Sequence, residues 1–452
     1  MEFKSINPYN GKIIATYTEF SEDHLDKILE KSRIAFESWR QVPIRERCKL
    51  LVNAGGVLRN NVDKYAETMT LEMGKPINEA KNEIFKCAWV CEFYADNAER
   101  FLADEIIETD ASESFVSHDP IGTVLAIMPW NFPFWQVFRF AAPTLAAGNT
   151  GLLKHASNVL GCAKHIEELL IEAGFPDGVF QNLMMHHDKT ERIISNDIVK
   201  AVTLTGSEQA GKSVGELAGK YLKKSVLELG GNNAFIVLED ADMDQAVKTG
   251  ITARMMNSGQ SCIAAKRFIL VGDAYDKFLA AFIDGVKDIK KGDPMDESTE
   301  IGPLARKDLA DELHEQLEKS VEQGAIIELG GKQHEAFHEP TILTRVKPGM
   351  PAFDEETFGP LAAIIRAKDV DEAFELATNS KYGLGVSLFT SDIENARRYI
   401  GKVPDGAFFI NELVKSDPRL PFGGTGYSGY GRELSREGIH EFVNKKTVYI
   451  KS

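Results

Sequence analysis

Cysteine is scarce in this sequence, and long apolar runs are absent from it. The chain of 452 residues has five cysteines, odd in number and widely scattered, which argues against a disulfide framework. No run of about eighteen apolar residues occurs, which excludes a membrane-spanning helix. Residues 1–5 show no charged start followed by an apolar core, so no secretory signal is predicted. We therefore expect a cytoplasmic protein with no membrane partner.

Positive charge is also under-represented. Lys and Arg number 52 against 68 Asp and Glu, which gives a net charge of −16. This acidity argues against a nucleic-acid partner, but it permits an anionic small molecule that needs only local positive charge. Cys87 and Cys91 lie four apart on a predicted helix. Neither paired histidines nor further cysteines accompany them, so no metal site is predicted.

Apolar runs of strand length alternate with helical patterns along most of the chain. Amphipathic spacing first predicts helices over residues 21–40, 45–60 and 81–100. Two sets of strands are then predicted, at Val124–Met128, 151–153, 179–180, Val199–Thr205 and Ser225–Leu229, and at Phe235–Leu238, Phe268–Val271, Leu361–Ile365 and Ala407–Ile410. This alternation predicts an α/β fold with parallel sheets and a domain boundary near Glu228.

Cys262 is the candidate nucleophile, because small and polar residues flank it in Asn257-Ser258-Gly259-Gln260-Ser261-Cys262. A lone cysteine is more often an inert small hydrophobe, so the case depends on its companions. Glu228 follows the apolar pair Val226-Leu227, where burial raises the pKa of a carboxyl group towards that of a useful base. Asn131, in Pro129-Trp130-Asn131-Phe132-Pro133, has an amide that suits a developing oxyanion.

Together these segments resemble the motifs of the aldehyde dehydrogenase superfamily, and the likeness extends over nearly the whole chain. The resemblance implies that Cys262 forms a thiohemiacetal and then a thioester. It implies that Asn131 and the Cys262 backbone N–H hold the oxyanion, and that Glu228 activates the hydrolytic water. Family members that transfer the acyl group to coenzyme A lack this glutamate, so hydrolysis to a carboxylic acid is expected.

The same resemblance implies a domain organisation. A Rossmann-like NAD(P)-binding domain is expected from residues 1–106 and 121–227, and an α/β catalytic domain from residues 228–433. A small β oligomerisation arm is expected from residues 107–120 and 434–452, which would make the protein a homodimer or a dimer of dimers. A surface hairpin and a frayed terminus are the alternative interpretation of the two arm segments.

The cofactor is expected to be NAD or NADP. Gly206, Ser207 and Gly211 follow a predicted strand and resemble the family's Gly-Ser-x-x-x-Gly turn. Ser157 stands where the family often has a glutamate, and without that carboxylate a 2′-phosphate is not repelled. The full set of cofactor residues implied by the resemblance is Trp130, Lys154, Ser157, Gly206, Ser207, Gly211, Gly230, Glu356 and Phe358.

The substrate expected from the resemblance is succinate semialdehyde, as in the short bacterial succinate-semialdehyde dehydrogenases. Arg139, on the helix after Asn131, matches a carboxylate-binding arginine of that branch, and Ser416 falls close to a serine that those enzymes use. Met256 replaces a second arginine. The alternatives are a broad aliphatic aldehyde dehydrogenase, in which Arg139 only forms a salt bridge within the protein, and a non-catalytic structural homologue.

Overall fold

Two β-sheets flanked by helices form the centre of the molecule, and the computed structural model describes all residues from 1 to 452. No helix combines the length and the apolar character that crossing a membrane requires. The α-helices are α1 (Glu22–Trp39), α2 (Ile44–Asn60), α3 (Val62–Met73), α4 (Ile77–Phe101), α5 (Trp135–Ala146), α6 (Leu160–Glu172), α7 (Thr190–Ser195), α8 (Glu208–Lys220), α9 (Met243–Met255), α10 (Ala274–Lys287), α11 (Lys307–Glu322), α12 (Pro351–Asp354), α13 (Val370–Thr378), α14 (Ile393–Ala396) and α15 (Ser435–His440).

The strands lie in six sheets of different size. They are β1 (Glu2–Ile6), β2 (Ile13–Thr18), β3 (Glu105–Ile106), β4 (Glu113–Pro120), β5 (Thr123–Met128), β6 (Thr150–His155), β7 (Phe180–Asn182), β8 (Val199–Thr205), β9 (Lys224–Glu228), β10 (Asn233–Val237), β11 (Ala265–Val271), β12 (Ile326–Leu329), β13 (Gln333–His334), β14 (Phe337–His338), β15 (Thr341–Thr344), β16 (Leu361–Ala367), β17 (Tyr382–Gly383), β18 (Val386–Phe389), β19 (Phe408–Ile410), β20 (Thr425–Gly426), β21 (Gly429–Tyr430) and β22 (Val443–Ile450).

The first large sheet has the strand order β21-β9-β8-β5-β6-β7. Strands β5 to β9 pair in parallel, and β21 pairs with β9 in the antiparallel direction. The strands of its centre are buried along nearly their whole length, as expected for a parallel sheet covered by helices on both faces. The carboxyl ends of β5, β8 and β9 therefore lie at one edge, where Met128, Thr205 and Glu228 end their strands.

The second large sheet has the strand order β12-β15-β16-β11-β10-β18-β19. All neighbours pair in parallel except β12, which is antiparallel to β15. Two apolar clusters, on opposite faces of this sheet by the alternation of β10 and β11, cover it. The nucleophile segment 256–262 joins α9 to β11 and so enters this sheet from its amino-terminal edge.

The α/β fold expected from the sequence is confirmed, and so are most of the predicted elements. The strand predicted over Val199–Thr205 is β8 with the same bounds, because an apolar run between polar flanks marks a buried strand clearly. The helix α3 and the hairpin β1–β2 were not predicted. Helix α3 follows α2 after the single residue Asn61, so its apolar pattern merges with the preceding one.

A third sheet, with the order β22-β4-β3, is antiparallel and stands outside the two large ones. It is built from the two segments expected to form an arm. It also contains Glu105–Ile106, which lies at the end of the segment 1–106 expected to belong to the NAD(P)-binding domain. Gly429–Tyr430 belongs to the segment expected to form the catalytic domain, but it pairs with β9 of the first sheet. The functional division into three domains stays a prediction.

Candidate active site

Two cavities meet at Cys262. The larger, of about 650 Å³, lies between the edge of the first sheet and helix α11. The smaller, of about 550 Å³, lies between α4, α5, α9 and the segment 413–416. Cys262 and Gln136 lie in the walls of both cavities, whereas Asn131 faces the larger one. A thiol at such a junction can meet one ligand from each side.

The turn before Cys262 holds two non-glycine residues in the left-handed region, Asn257 at φ 55° and Ser258 at φ 53°. Such backbone costs energy and persists only where neighbouring contacts hold it. Glu79 of α4 accepts a hydrogen bond of 2.7 Å from the Asn257 backbone N–H. Arg254, fully buried, donates to the Gly259 carbonyl over 2.8 Å. These contacts hold the turn in the conformation that places Cys262 where the two cavities meet.

Lys266 fixes the carbonyl side of the same turn. Its buried ammonium group donates to the Ser261 and Cys262 carbonyl oxygens, each over 3.0 Å, and to Glu356 Oε1 over 2.9 Å. Asn233 donates to the Cys262 carbonyl over 2.7 Å. Because the Ser261 carbonyl shares a peptide plane with the Cys262 N–H, these bonds fix the direction of that N–H.

The Cys262 thiol is neutral in the resting protein. Burial raises its pKa to about 11, while the positive charges of Arg139 and Lys266 act in the opposite direction. Because the thiolate is the attacking species, the thiol has to lose its proton before it reacts. The other four cysteines are buried, so Cys262 is the thiol that a reagent in the cavities reaches.

Two unused N–H groups lie beside the thiol. The Asn131 side-chain amide donates one of its two N–H groups to the Gln260 carbonyl over 3.0 Å, and its other N–H has no partner. The Cys262 backbone N–H donates to no acceptor in the structure. Buried N–H groups are rarely left unpaired, so this pair indicates a place for an anionic oxygen.

The loop that carries Asn131 is held by a histidine. His155, at the end of β6, has Nε2 at 2.9 Å from the Pro133 carbonyl, and its Nδ1 accepts a hydrogen bond of 2.9 Å from the Ala156 N–H. This pattern places the proton on Nε2. Burial lowers the pKa of His155 to about 4, so the ring is neutral and the loop is held without adding a charge.

Glu228 is buried, and neither of its carboxyl oxygens has a hydrogen-bond partner. Burial raises its pKa well above the usual range, and the Glu433 carboxylate raises it further, while Arg139 lowers it. Its carboxyl group packs beside Gly423, where an added Cβ would lie 2.7 Å from Oε1. In this position Glu228 is a neutral acid that lies outside the walls of both cavities.

Arg139 lies on α5 and lines the smaller cavity, but its charge is already paired. Its guanidinium group forms a buried salt bridge with Glu433. It also donates to Thr205 Oγ1 over 3.3 Å and stacks on the Phe422 ring at 4.5 Å. The role expected from the sequence, a free cation for a substrate carboxylate, is not supported by this pairing. The salt bridge is what the broad-specificity alternative requires of Arg139.

Ser416, the other expected substrate residue, is buried in the wall of the smaller cavity. Its hydroxyl oxygen accepts a hydrogen bond of 2.8 Å from Lys86 Nζ and another of 3.1 Å from Trp135 Nε1. Lys86 had no assigned role in the sequence-based prediction.

Most of the expected cofactor residues face the larger cavity. Those in its wall are Trp130, Gly206, Ser207, Gly230, Glu356 and Phe358. A Cβ at Gly230 would lie 2.2 Å from Glu356 Oε2, so only glycine leaves room for this carboxylate at the cavity. The rings of Trp130 and Phe358 meet edge to face at 5.7 Å. A long cavity with an aromatic wall and a carboxylate fits a dinucleotide.

Three expected cofactor residues lie outside the wall of this cavity. Gly211 packs under Leu229, where a Cβ would come within 2.4 Å, so its role is the close approach of α8 to the sheet. Lys154 at the end of β6 is half-buried and forms no ion pair, and Ser157 just beyond it is exposed.

Ser207, in the wall of the larger cavity, also caps α8: its Oγ accepts a hydrogen bond of 3.3 Å from the Ala210 N–H.

Sequence reasoning missed Lys86, Lys266 and Glu433. Lys266 could have been found, since it stands two residues before the predicted strand Phe268–Val271, and a lysine at the start of a buried strand needs a buried partner. The other two had no local signal. Lys86 meets Ser416 across 330 residues, and Glu433 meets Arg139 from a distant loop.

Comparisons with known proteins agree with this geometry. A model of the aldehyde dehydrogenase family matches residues 1–448. A Synechocystis protein named as a probable NADP(+) succinate-semialdehyde dehydrogenase is 48% identical over 453 residues, covering 100% of both chains. A Mycobacterium tuberculosis protein named NADP(+) succinate-semialdehyde dehydrogenase 1 is 45% identical over 456 residues, again covering 100% of both. The crystal structure of the Streptococcus pyogenes succinic semialdehyde dehydrogenase with NADP+ superposes with a TM-score of 0.97 at 39% identity, covering 100% of both chains.

Proposed function

We propose, from the premise that the chain belongs to the aldehyde dehydrogenase family, that it oxidises succinate semialdehyde to succinate with NADP or NAD. The observation that carries the chemistry is the Cys262 thiol with its own unpaired N–H and the free N–H of Asn131 beside it. The names of its full-length relatives support the substrate and the NADP cofactor.

In the first step the Cys262 thiol gives up its proton to water in the cavity, and its sulfur attacks the aldehyde carbon. The carbonyl oxygen becomes an oxyanion, and the N–H groups of Asn131 and Cys262 stabilise it by hydrogen bonds that strengthen as the charge develops. The tetrahedral carbon then loses hydride and becomes a thioester on Cys262. Bound NAD(P) would accept this hydride, and Glu356 and Phe358 in the wall of the larger cavity would hold it.

In the second step water attacks the thioester, the carbon–sulfur bond breaks, and the carboxylate product leaves with the thiolate restored. Glu228 first loses its own proton to solvent, and its carboxylate then takes a proton from this water. Its raised pKa suits a base that works near neutral pH. Because it is buried beside Gly423, its side chain has to turn towards the thioester before it acts.

Use of NADP is supported by the residues beyond β6. Ser157 brings no carboxylate that would repel a 2′-phosphate, and Lys154 keeps a positive charge without an ion-pair partner. Both cofactors are therefore proposed, and the names of the relatives support the use of NADP.

The test is a panel of aldehydes with NAD and with NADP, read as the appearance of the reduced cofactor. Succinate semialdehyde and butyraldehyde have four carbons each and differ in the distal carboxylate. A clear preference in kcat/KM for succinate semialdehyde is expected. Equal values for the two would establish the broad aliphatic alternative, which the Arg139–Glu433 salt bridge favours. No product with any aldehyde would remove the enzymatic proposal.

The proposal places the enzyme in the cytoplasm, as a homo-oligomer. Its five cysteines are free, and a reducing compartment keeps Cys262 so. The three-stranded sheet β22-β4-β3 leaves one long edge unpaired and supports assembly with a second copy of the chain.

A further inference from the structure

The smaller cavity contains one cation that no carboxylate neutralises. Arg139 pairs with Glu433, and Lys415 pairs with Glu412 at 2.7 Å. Lys86 forms no ion pair, although it lies between α4 and α5 in the wall of the cavity. Its ammonium group rests on the Trp135 ring, 4.2 Å from the ring centre.

The two carboxylates whose charges raise the pKa of Lys86, Glu83 and Asp417, are already engaged. Glu83, one helical turn before it, forms a buried salt bridge with Lys75 and accepts 2.9 Å hydrogen bonds from two backbone N–H groups at the start of α5. Asp417 pairs with Arg419 at 2.6 Å. Neither carboxylate is available to compensate the charge of Lys86.

The hydroxyl group of Ser416 is set up as a donor by its neighbours. Lys86 and Trp135 both donate to Ser416 Oγ, so both lone pairs of this oxygen are used. Its own O–H has no acceptor within the protein. A hydroxyl whose lone pairs are filled can only donate, and a buried donor without an acceptor indicates a missing anion or water.

We infer that Lys86 and Ser416 together bind the distal carboxylate of the substrate. One carboxylate oxygen accepts the Ser416 hydroxyl proton, and the carboxylate lies against the Lys86 ammonium group, in the cavity whose other end is Cys262. The inference rests on the proposed function, whose substrate it explains without the free arginine that the sequence led us to expect. Arg139, which is paired with Glu433, then takes no part in binding this carboxylate.

The electrostatics of the cavity agree with this assignment. Burial, followed by the charge of Arg139, lowers the pKa of Lys86 to about 8, so the ammonium form predominates at neutral pH. An uncompensated cation in a partly apolar cavity is costly, and a carboxylate that enters the cavity relieves this cost. An uncharged aldehyde of the same length gains nothing there.

The experiment compares Lys86→Met with the unmodified enzyme on succinate semialdehyde and butyraldehyde. Methionine keeps the length of the side chain and its contact with Trp135 but removes the charge. We expect kcat/KM for succinate semialdehyde to fall roughly 10- to 150-fold, chiefly through KM, because the carboxylate is remote from the reacting carbon. Butyraldehyde should lose far less, and Lys86→Arg should restore most of the preference for succinate semialdehyde.

Lys415→Met is the matched control, since it removes an already paired lysine from the mouth of the same cavity. It should leave both substrates nearly unchanged. An equal loss on both substrates with Lys86→Met, or an equal loss with Lys415→Met, would overturn the assignment of Lys86. A lack of preference for succinate semialdehyde in the unmodified enzyme would instead overturn the proposed substrate, so the two failures are distinguishable. Thermal unfolding of each variant checks that it is folded.

Discussion

At the residue scale, burial raises the pKa of both the proposed nucleophile and the proposed base, which favours the neutral form of each at rest. Burial raises the pKa of the Cys262 thiol to about 11 and raises the pKa of the Glu228 carboxyl well above its usual range. A free thiolate would react with any electrophile that entered the cavity. A neutral thiol is instead activated only when the substrate is bound. The negative charge that then develops on the substrate oxygen is stabilised by the two unused N–H groups.

This state of Cys262 is measurable without substrate. The rate of alkylation by iodoacetamide should rise about tenfold for each pH unit between 7 and 9, because the thiolate fraction does so below a pKa of about 11. Mass spectrometry of the labelled peptide locates the reaction. Cys262→Ala is the control and should take up almost no label, since the other four cysteines are buried. A rate that is flat over this range would mean that the thiolate already exists at neutral pH.

Glu228 is tested by Glu228→Gln, which keeps the size of the side chain and removes the base. Acylation and hydride transfer should survive as one burst of reduced cofactor, while steady turnover falls about 100- to 10,000-fold because the thioester is not hydrolysed. Rapid-mixing absorbance measures the burst, and intact mass detects the acyl-enzyme. Normal steady turnover without an accumulated acyl-enzyme would show that another group is the base.

At the element scale, the loop between β5 and α5 depends on contacts with β6. Neutral His155 holds the Pro133 carbonyl, and the loop in turn presents Asn131 to the thiol. Burial lowers the pKa of His155 from 6.5 to about 4. The folded protein therefore binds this proton less readily than the unfolded chain. The stability that His155 contributes is fully present above pH 6.5 and is lost as the pH falls towards 4.

Between pH 6.5 and pH 4, His155 is expected to lower the free energy of unfolding by about 3 kcal/mol. In His155→Gln, the amide nitrogen replaces Nε2 as donor to Pro133 and does not titrate. Unfolding free energies at pH 7 and pH 5, measured at one protein concentration, should differ less in this variant than in the unmodified protein. The same pH difference in both proteins would assign the sensitivity to other buried groups.

Elements also explain how far the sequence could predict this site. The strand β8 and the motifs around Cys262 and Asn131 are local, because an apolar run or a short string of residues specifies them. The partner of Arg139 was not predictable, since Glu433 reaches it through packing of a loop near the carboxyl terminus against α5. A motif identifies the residue type that a position needs, while tertiary packing decides which cation is left free.

At the scale of the whole molecule, the three-stranded sheet has an apolar face with no cover. The register places Ile106, Phe115 and Val448 side by side across β3, β4 and β22, and Ile450 follows two residues further on the same face. Ile106 is 71% exposed and Ile450 is 45% exposed. Such a surface, with the long unpaired edge of β22 beside it, is typical of an interface between subunits.

Assembly through this sheet is tested by the double variant Ile106→Lys with Ile450→Lys. Two charges on the apolar face oppose its burial against a second copy of the chain, so the oligomer should dissociate into smaller species at concentrations where the unmodified protein stays assembled. Sedimentation velocity over a range of concentrations measures this. Ile171→Lys, at an exposed isoleucine on α6, is the matched control and should leave the assembly unchanged. An unaltered sedimentation coefficient in the double variant would show that the interface lies on another surface, because this one could not bury two lysines.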